Sequence, residues 1–212
     1  LWEALNRHGA IERARVDLAF DVADAAFNKV WREHSITWTI GERLKVALTG
    51  LDRALPEADL AGVAEALGRM EVDIPPDMIP GAREALADLA KRYKLCIASD
   101  AIVTPGSKLR QLLDVYGLRE YFSAFAFSDE VGHSKPHRAM FESAARQMGV
   151  AVEEMVHIGD RDHNDVKGPQ ALGMKAVLFT ATRDVDKDKT SADAVCASHR
   201  DLPSVIDRLA GA

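Results

Sequence analysis

Apolar residues in the first third of the chain recur at the spacing of amphipathic helices. Val16, Phe20, Ala23, Phe27 and Val30 lie three or four positions apart and would share one helix face. No strand-like alternation persists in this region. A proline-rich segment, residues 72–81, then prevents any helix from continuing. The pattern predicts an all-helical domain over residues 1–73, with helices over residues 1–8, 12–33, 41–48 and 57–70.

From residue 74 onward, short apolar runs alternate with amphipathic helices. Runs that are apolar at nearly every position suit strands buried on both faces, and the helices between them suit crossovers of a parallel sheet. We therefore predict that residues 74–212 form an α/β domain with a doubly wound parallel sheet. The predicted strands are residues 95–98, 124–127, 155–158, 176–179 and 194–196.

One helix of this second part carries clear end signals. Ser134 is placed to cap its start, Pro136 suits its first turn, and Gly149 ends it. His157, by contrast, lies inside a predicted strand. We expect it to be buried and hydrogen-bonded rather than catalytic.

Composition narrows the classes of function. The chain has 212 residues, with 27 Lys plus Arg against 33 Asp plus Glu, and its basic residues are scattered. This distribution predicts neither nucleic acid nor a membrane surface as partner, and no apolar run is long enough to span a bilayer. Cys96 and Cys196 lack metal-binding spacing, which favours reduced thiols and a cytoplasmic location. A small charged metabolite is the partner we expect.

Polar residues follow the predicted strands at the edge where α/β proteins bind ligands. Ser99 and Asp100 follow the first strand, and Asp160 follows the third. Asp129 follows the second strand, where it either braces a nearby lysine or simply ends its strand. These positions would bring a hydroxyl and several carboxylates to one edge of the sheet.

Two further residues add charge at this edge. Lys135 lies just before Pro136 at the entrance to a helix, and Asp165 lies five residues after Asp160. Carboxylate oxygens are the ligands that Mg²⁺ prefers, usually one or two together with water and phosphate oxygens. Asp160 and Asp165 could supply such a pair.

The order and spacing of these residues resemble the haloacid-dehalogenase-like superfamily. Ser99 after an apolar strand, Lys135-Pro136, and Gly159-Asp160-x4-Asp165 are similar to its second, third and fourth motifs. The likeness spans residues 80 to 180. It implies a Rossmann-like core, and the helical first third is similar to the family's cap domain.

The resemblance implies a Mg²⁺-dependent hydrolase of small phosphate monoesters that works through an aspartyl-phosphate intermediate. Ser99, Lys135, Asp160 and Asp165 are then the catalytic candidates. Ser99, Asp100 and Lys135 are the candidates for substrate binding, and Asp160 with Asp165 for the metal. Asp100 stands where many members have Asn, so a possible anion replaces a neutral amide near the phosphate, and we expect its side chain to point away.

We find no counterpart of the family's first motif, an apolar core strand ending in Asp-x-Asp whose first Asp is the nucleophile. The nearest candidate, Asp21 with Asp24, has the wrong spacing and lies on a predicted helix face. The chain as written is therefore expected to lack activity, with its first core strand missing. A non-catalytic relative that binds Mg²⁺ or a phosphorylated ligand, and a metal-independent 2-haloacid dehalogenase, remain as alternatives.

Overall fold

A computed structural model describes residues 1–211, and residues 1–73 contain helices alone. The helices pack around a small apolar core that includes Leu5, Val16, Leu48 and Leu51. The third helix starts at a reciprocal cap, in which Thr39 Oγ1 accepts from the Glu42 amide and the Glu42 carboxylate accepts from the Thr39 amide. The helices are α1 (Trp2–Arg7), α2 (Arg13–His34), α3 (Ile40–Gly50), α4 (Glu57–Gly68) and α5 (Met70–Asp73).

All the strands of the described chain lie beyond residue 95, and helices separate them except between β4 and β5, which a loop connects. Every strand pair is parallel, and each predicted strand lies within one residue of an observed one. The elements in order are α6 (Ala82–Leu89), β1 (Cys96–Ser99), α7 (Gly106–Val115), β2 (Ala124–Phe127), α8 (Ser128–Val131), α9 (Arg138–Met148), β3 (Val156–Gly159), α10 (Gly168–Gln170), β4 (Lys175–Phe179), β5 (Ala194–Cys196) and α11 (Leu202–Ala210). Among residues 1–211, no helix combines the length and apolar character that crossing a membrane requires.

Helices cover both faces of the strands, as the α/β pattern predicts. On one face, α6 and α11 pack on β4 and β5 through residues such as Leu89, Phe179 and Ile206. On the other face, α9 packs on β1 and β2, and its Phe141 ring meets the His157 ring of β3 edge-on, with centroids 5.3 Å apart. Because α9 touches strands on both sides of the site described below, it joins the two parts of the sheet.

The sheet is interrupted between β1 and β3. The described strands form two separate groups, β1 with β2 and β3 with β4 and β5. Every residue of β1 is only half-buried, and Ile158 of β3 is 37% exposed, whereas Ala176, Val177 and Leu178 of β4 are fully buried. In a covered parallel sheet the inner strands are normally buried on both faces. Within residues 1–211, β1 pairs only with β2 and β3 only with β4, which leaves one edge of each strand without a strand partner.

Helix α9 starts later than the sequence predicts. We expected Ser134 as its cap and Pro136 in its first turn, but α9 begins at Arg138, with His137 Nδ1 accepting the Ala139 amide at 3.2 Å. Ser134 instead donates its own amide to the Ser35 carbonyl, across the sequence, at 2.8 Å. The helix end is as predicted, because Gly149 adopts the left-handed conformation with φ 66°.

Candidate active site at the carboxyl ends of the strands

The Asp165 carboxylate is the centre of the polar cluster beyond β3. Its Oδ1 lies 2.7 Å from Lys135 Nζ and 3.0 Å from His157 Nε2, and its Oδ2 accepts the Arg161 amide at 3.0 Å. The Asp165 side chain is 3% exposed and that of Lys135 is 12% exposed. A buried carboxylate without partners would be costly, so these three donors account for its place in the interior.

Charge and burial act in opposite directions on this cluster. Burial by itself would raise the pKa of Asp165, but the hydrogen bond from His157 and the positive charge of Lys135 hold it well below its usual value. Burial also lowers the pKa of His157, which favours its neutral form. Because an ionised carboxylate can only accept, His157 Nε2 carries the proton that it donates to Asp165. His157 is hydrogen-bonded as expected, and its side chain is 11% exposed.

Asp100 connects the loops that follow β1 and β3. Its Oδ1 accepts the Lys135 amide at 2.8 Å, and its Oδ2 lies 3.4 Å from Asn164 Nδ2. Burial raises the pKa of Asp100, although the nearby Lys135 charge opposes the rise. These two contacts show that the Asp100 side chain points towards the loop that carries Lys135. In this position it holds Lys135 through the backbone.

Two glycines allow the loops of the site to approach each other. A Cβ on Gly159 would lie 2.3 Å from Asp165 Cγ, and a Cβ on Gly168 would lie 2.5 Å from Pro136 Cβ. Both distances are far below ordinary contact, so no larger residue fits without displacement. The segment between them, Asp162–Lys167, forms a π-helical turn, a conformation frequent at functional sites. The glycines that flank the acidic motif are thus packing requirements of the site.

Ser99 and Asp160 are the two candidates whose side chains remain free. Ser99 ends β1 and Asp160 follows β3, and both residues are half-buried. Within residues 1–211 neither the Ser99 hydroxyl nor the Asp160 carboxylate has a hydrogen-bond partner. The structure thus brings Asp100, Lys135 and Asp165 into contact. It leaves Ser99 and Asp160 available at neighbouring strand ends.

The donor set fits a magnesium ion in one specific way. No group of three His, Cys, Asp or Glu residues in the described part of the chain is arranged around a common metal position. The Asp165 carboxylate is already satisfied by Lys135 and His157, whereas that of Asp160 is free. Mg²⁺ is often held by one or two carboxylates with water and phosphate oxygens. Asp160 fits as a ligand, and Asp165 fits best as the group that orients its surroundings.

Asp129 has a structural task away from this cluster. Its carboxylate accepts the Gly106 amide, at 3.1 Å to Oδ2, at the start of α7. The sequence left two roles open for Asp129, bracing Lys135 or ending its strand. The contacts do not support the first role, because Asp129 instead accepts an amide that the start of a helix leaves unpaired.

Asp21 with Asp24, the candidate weighed from the sequence, supplies no nucleophile at a strand end. Asp21 is exposed on α2, and Asp24 pairs with Arg43 at 3.4 Å, so the segment is helical as predicted. One Asp-x-Asp does follow a strand, namely Asp160 with Asp162, which the sequence reasoning did not weigh. Asp162 is committed elsewhere, because its oxygens accept from Thr190 at 2.6 Å and pair with Lys167 at 2.8 Å.

Known proteins match this chain over much of its length. A family model described as haloacid dehalogenase-like hydrolase matches residues 3–173. A glyceraldehyde 3-phosphate phosphatase from Pyrococcus furiosus is 31% identical over 135 residues, which are 61% of this chain and 55% of that protein. The chain spans about half the length of the curated relatives it matches.

Two solved structures share the fold. A HAD phosphatase from Thermococcus onnurineus gives a TM-score of 0.66 at 22% identity, covering 97% of this chain and 86% of that one. The putative HAD-hydrolase YfnB from Bacillus subtilis, bound to magnesium, gives 0.63 at 15% identity, covering 95% and 86%. At these identities the likeness establishes the fold alone.

Proposed function

Because the chain belongs to the haloacid dehalogenase-like hydrolases, we propose that it takes part in the Mg²⁺-dependent hydrolysis of small phosphate monoesters. The observation that carries this proposal is the buried Lys135–Asp165 pair next to the free Asp160 carboxylate, at the carboxyl ends of parallel strands. Such a site offers a fixed positive charge and a cation ligand to a phosphoryl group. The phosphatase name of the Pyrococcus furiosus relative supports the same class of substrate.

Each side chain has a distinct role in this proposal. The Ser99 hydroxyl donates to a phosphoryl oxygen, and the Lys135 ammonium neutralises charge on the phosphoryl group and the nucleophile. Asp160 holds Mg²⁺, which would neutralise phosphate charge when bound. Asp165 keeps Lys135 in place and orients the metal surroundings. Asp100 contributes by fixing the Lys135 backbone at 2.8 Å beside the substrate.

The nucleophile in this proposal comes from a strand that fills the gap between β1 and β3. Both facing edges belong to strands that pair in parallel on their other side, so an added parallel strand would continue both groups. An Asp at its carboxyl end would lie between Ser99 and Asp160. Its carboxylate would attack phosphorus, the substrate alcohol would leave with a proton, and water would then hydrolyse the aspartyl phosphate.

The remaining parts of the proposal concern domains and location. We assign residues 1–73 as a helical cap and residues 74–212 as the core. The buried Thr37 hydroxyl donates to Ser128 Oγ at 2.7 Å, which supports a fixed contact between the cap and the core beside the site. Cys96 and Cys196 are both unpaired thiols, which supports a cytoplasmic location.

The test compares phosphate release by three versions of the chain. The first is residues 1–212 alone, the second carries an added amino-terminal strand ending in Asp-x-Asp, and the third carries the same strand with its first Asp changed to Asn. A panel of phosphate monoesters is supplied with Mg²⁺. We expect turnover only in the second version. Equal turnover in the first and second would contradict the proposal and indicate a nucleophile inside the chain, with Asp21 examined first.

A second candidate function is non-catalytic binding of Mg²⁺ or a phosphorylated ligand. It is favoured because the one Asp-x-Asp that directly follows a strand in residues 1–211, Asp160 with Asp162, has its second carboxylate engaged by Thr190 and Lys167. It predicts that all three versions bind Mg²⁺ while none releases phosphate. The third alternative, a 2-haloacid dehalogenase, differs from the proposed phosphatase because its turnover requires no metal. Turnover of a 2-haloacid that persists in the presence of a chelator would support that reaction instead.

A further inference from the structure

We propose that Arg183 and Asp186, in the charged loop between β4 and β5, are positioning residues that hold the Asp160 backbone in its site geometry. The inference rests on the proposed function only where it concerns Mg²⁺. Arg183 Nη1 donates to the Asp160 carbonyl at 2.8 Å and also forms an ion pair with Asp186 Oδ2. Asp186 Oδ2 in turn accepts the Asp162 amide at 3.3 Å. Together the two side chains bridge a carbonyl and an amide that lie two residues apart.

A second pair of contacts extends this bridge. Thr190 Oγ1 donates to Asp162 Oδ1 at 2.6 Å, and Lys167 Nζ lies 2.8 Å from Asp162 Oδ2. Asp162 is 8% exposed, so its carboxylate depends on these partners. Contacts from the loop therefore hold the backbone at Asp160 and at Asp162, on both sides of Arg161. Simple surface loops with many charges have no need of such contacts to a neighbouring backbone.

The loop can act as a support because it leaves a rigid strand. Its first residues follow β4, whose Leu178 is fully buried and whose Phe179 is 7% exposed. The acidic turn is therefore fixed from two directions. Lys135 and His157 hold Asp165 from inside, and the loop holds Asp160 and Asp162 from outside. Metal ligands generally depend on neighbours of this kind, and losing one typically weakens metal binding by about 10–100-fold.

Arg183→Gln is the most discriminating variant, because the loss of its charge and the loss of its positioning contacts predict opposite changes in Mg²⁺ affinity. Removing a positive charge near Asp160 would by itself strengthen binding of a cation. If Arg183 acts by position, Mg²⁺ binding should instead weaken by about 10-fold. Arg119→Gln is a matched control, because Arg119 forms an exposed pair with Asp114 at 2.8 Å and lies away from the acidic turn. Mg²⁺ affinity is measured from the rise in melting temperature with Mg²⁺ concentration.

A second measurement tests the bridge without any metal. Amide hydrogen exchange at Arg161, Asp162 and Asp165 should accelerate roughly 10-fold in Arg183→Gln, while the slowest amides of β4 keep their rates. Arg183→Lys should recover part of the protection, because it retains the charge opposite Asp186. Unchanged exchange in Arg183→Gln would overturn the inference whatever the metal result. If the unaltered chain shows no response to Mg²⁺, the metal assignment of Asp160 fails, and exchange alone then decides whether the loop positions the turn.

Discussion

Substituting Gly159 by alanine should destabilise the chain strongly, because the added methyl group would enter the space of Asp165. The new Cβ would lie 2.3 Å from Asp165 Cγ and 2.6 Å from its Cβ and Oδ2, whereas ordinary contact starts near 3.4 Å. At least about 1.1 Å must therefore be opened. Rotating the carboxylate tip does not suffice, since Asp165 Cβ is itself too close. The side chain must leave Lys135, His157 or both.

The expected cost follows from two known effects. Overpacking a well-filled site costs about 1–3 kcal/mol, and separating a buried ion pair costs about 3–5 kcal/mol when one charge remains unpaired. Because the change moves Asp165 without removing it, we expect a loss of about 2–4 kcal/mol. With a urea dependence of about 2 kcal/mol per molar, the unfolding midpoint should fall by roughly 1–2 M.

The assay is urea unfolding at pH 7, followed by circular dichroism. Gly62→Ala is the matched control, because Gly62 lies within α4 with nothing within 4 Å of its added Cβ. It should be neutral or stabilising by about 0.4–1 kcal/mol. In an Asp165→Gly background, the Gly159→Ala penalty should largely disappear, since the atoms it strikes are gone. A full penalty in that background, or none in the original chain, would refute the reasoning.

Other consequences of the site can be measured in the same way. Lys135→Met should cost about 3 kcal/mol of unfolding free energy at pH 7, because Asp165 loses its nearest charge. Stability should fall as the pH drops below about 6.5, the unperturbed pKa of histidine, since His157 has a lowered pKa and the unfolded chain takes up its proton first. His157→Gln should flatten that decline below about pH 6.5. The lowered pKa of Asp165 adds a further loss below about pH 3.8, its unfolded value. In the strand-completed version, Asp160→Asn should lower Mg²⁺-dependent phosphate release at least about 100-fold and Ser99→Ala about 10-fold. Undiminished release from the Asp160 variant at limiting Mg²⁺ would remove that residue from the metal site.

The strands were predictable because burial on two faces leaves a simple pattern. Residues 124–127 and 194–196 are apolar throughout and match β2 and β5 residue for residue. Ala124, Ala126 and Phe127 of β2 are buried, as expected for a covered strand that is apolar at every position, whereas Val195 of β5 is 40% exposed. The α/β class and the helical first third follow from the same local periodicities.

The contacts of the site could not be read from local signals. Ser134 has the side chain of a good helix cap, yet its amide donates to the Ser35 carbonyl, which is distant in sequence, and α9 begins at Arg138 with His137 as its cap. The partnership of His157 with Asp165 depends on a strand residue and a turn residue meeting at 3.0 Å. Only three-dimensional placement puts Arg183 against the Asp160 carbonyl.

The gap between β1 and β3 links the chemistry of the site to the stability of the fold. Ser99 and Asp160 end the two strands that face it, and both side chains are free, whereas the buried partners Lys135 and Asp165 satisfy each other. The half-buried edges of β1 and β3 carry backbone groups that pair only on one side, which is costly wherever water has poor access. A parallel strand in the gap would satisfy those groups and bury Ile158, now 37% exposed. The same strand would bring its last residues between Ser99 and Asp160. A strand that ends in Asp-x-Asp therefore completes both the sheet and the site, so stability and phosphate release should rise together, whereas the version with the first Asp changed to Asn should gain stability alone.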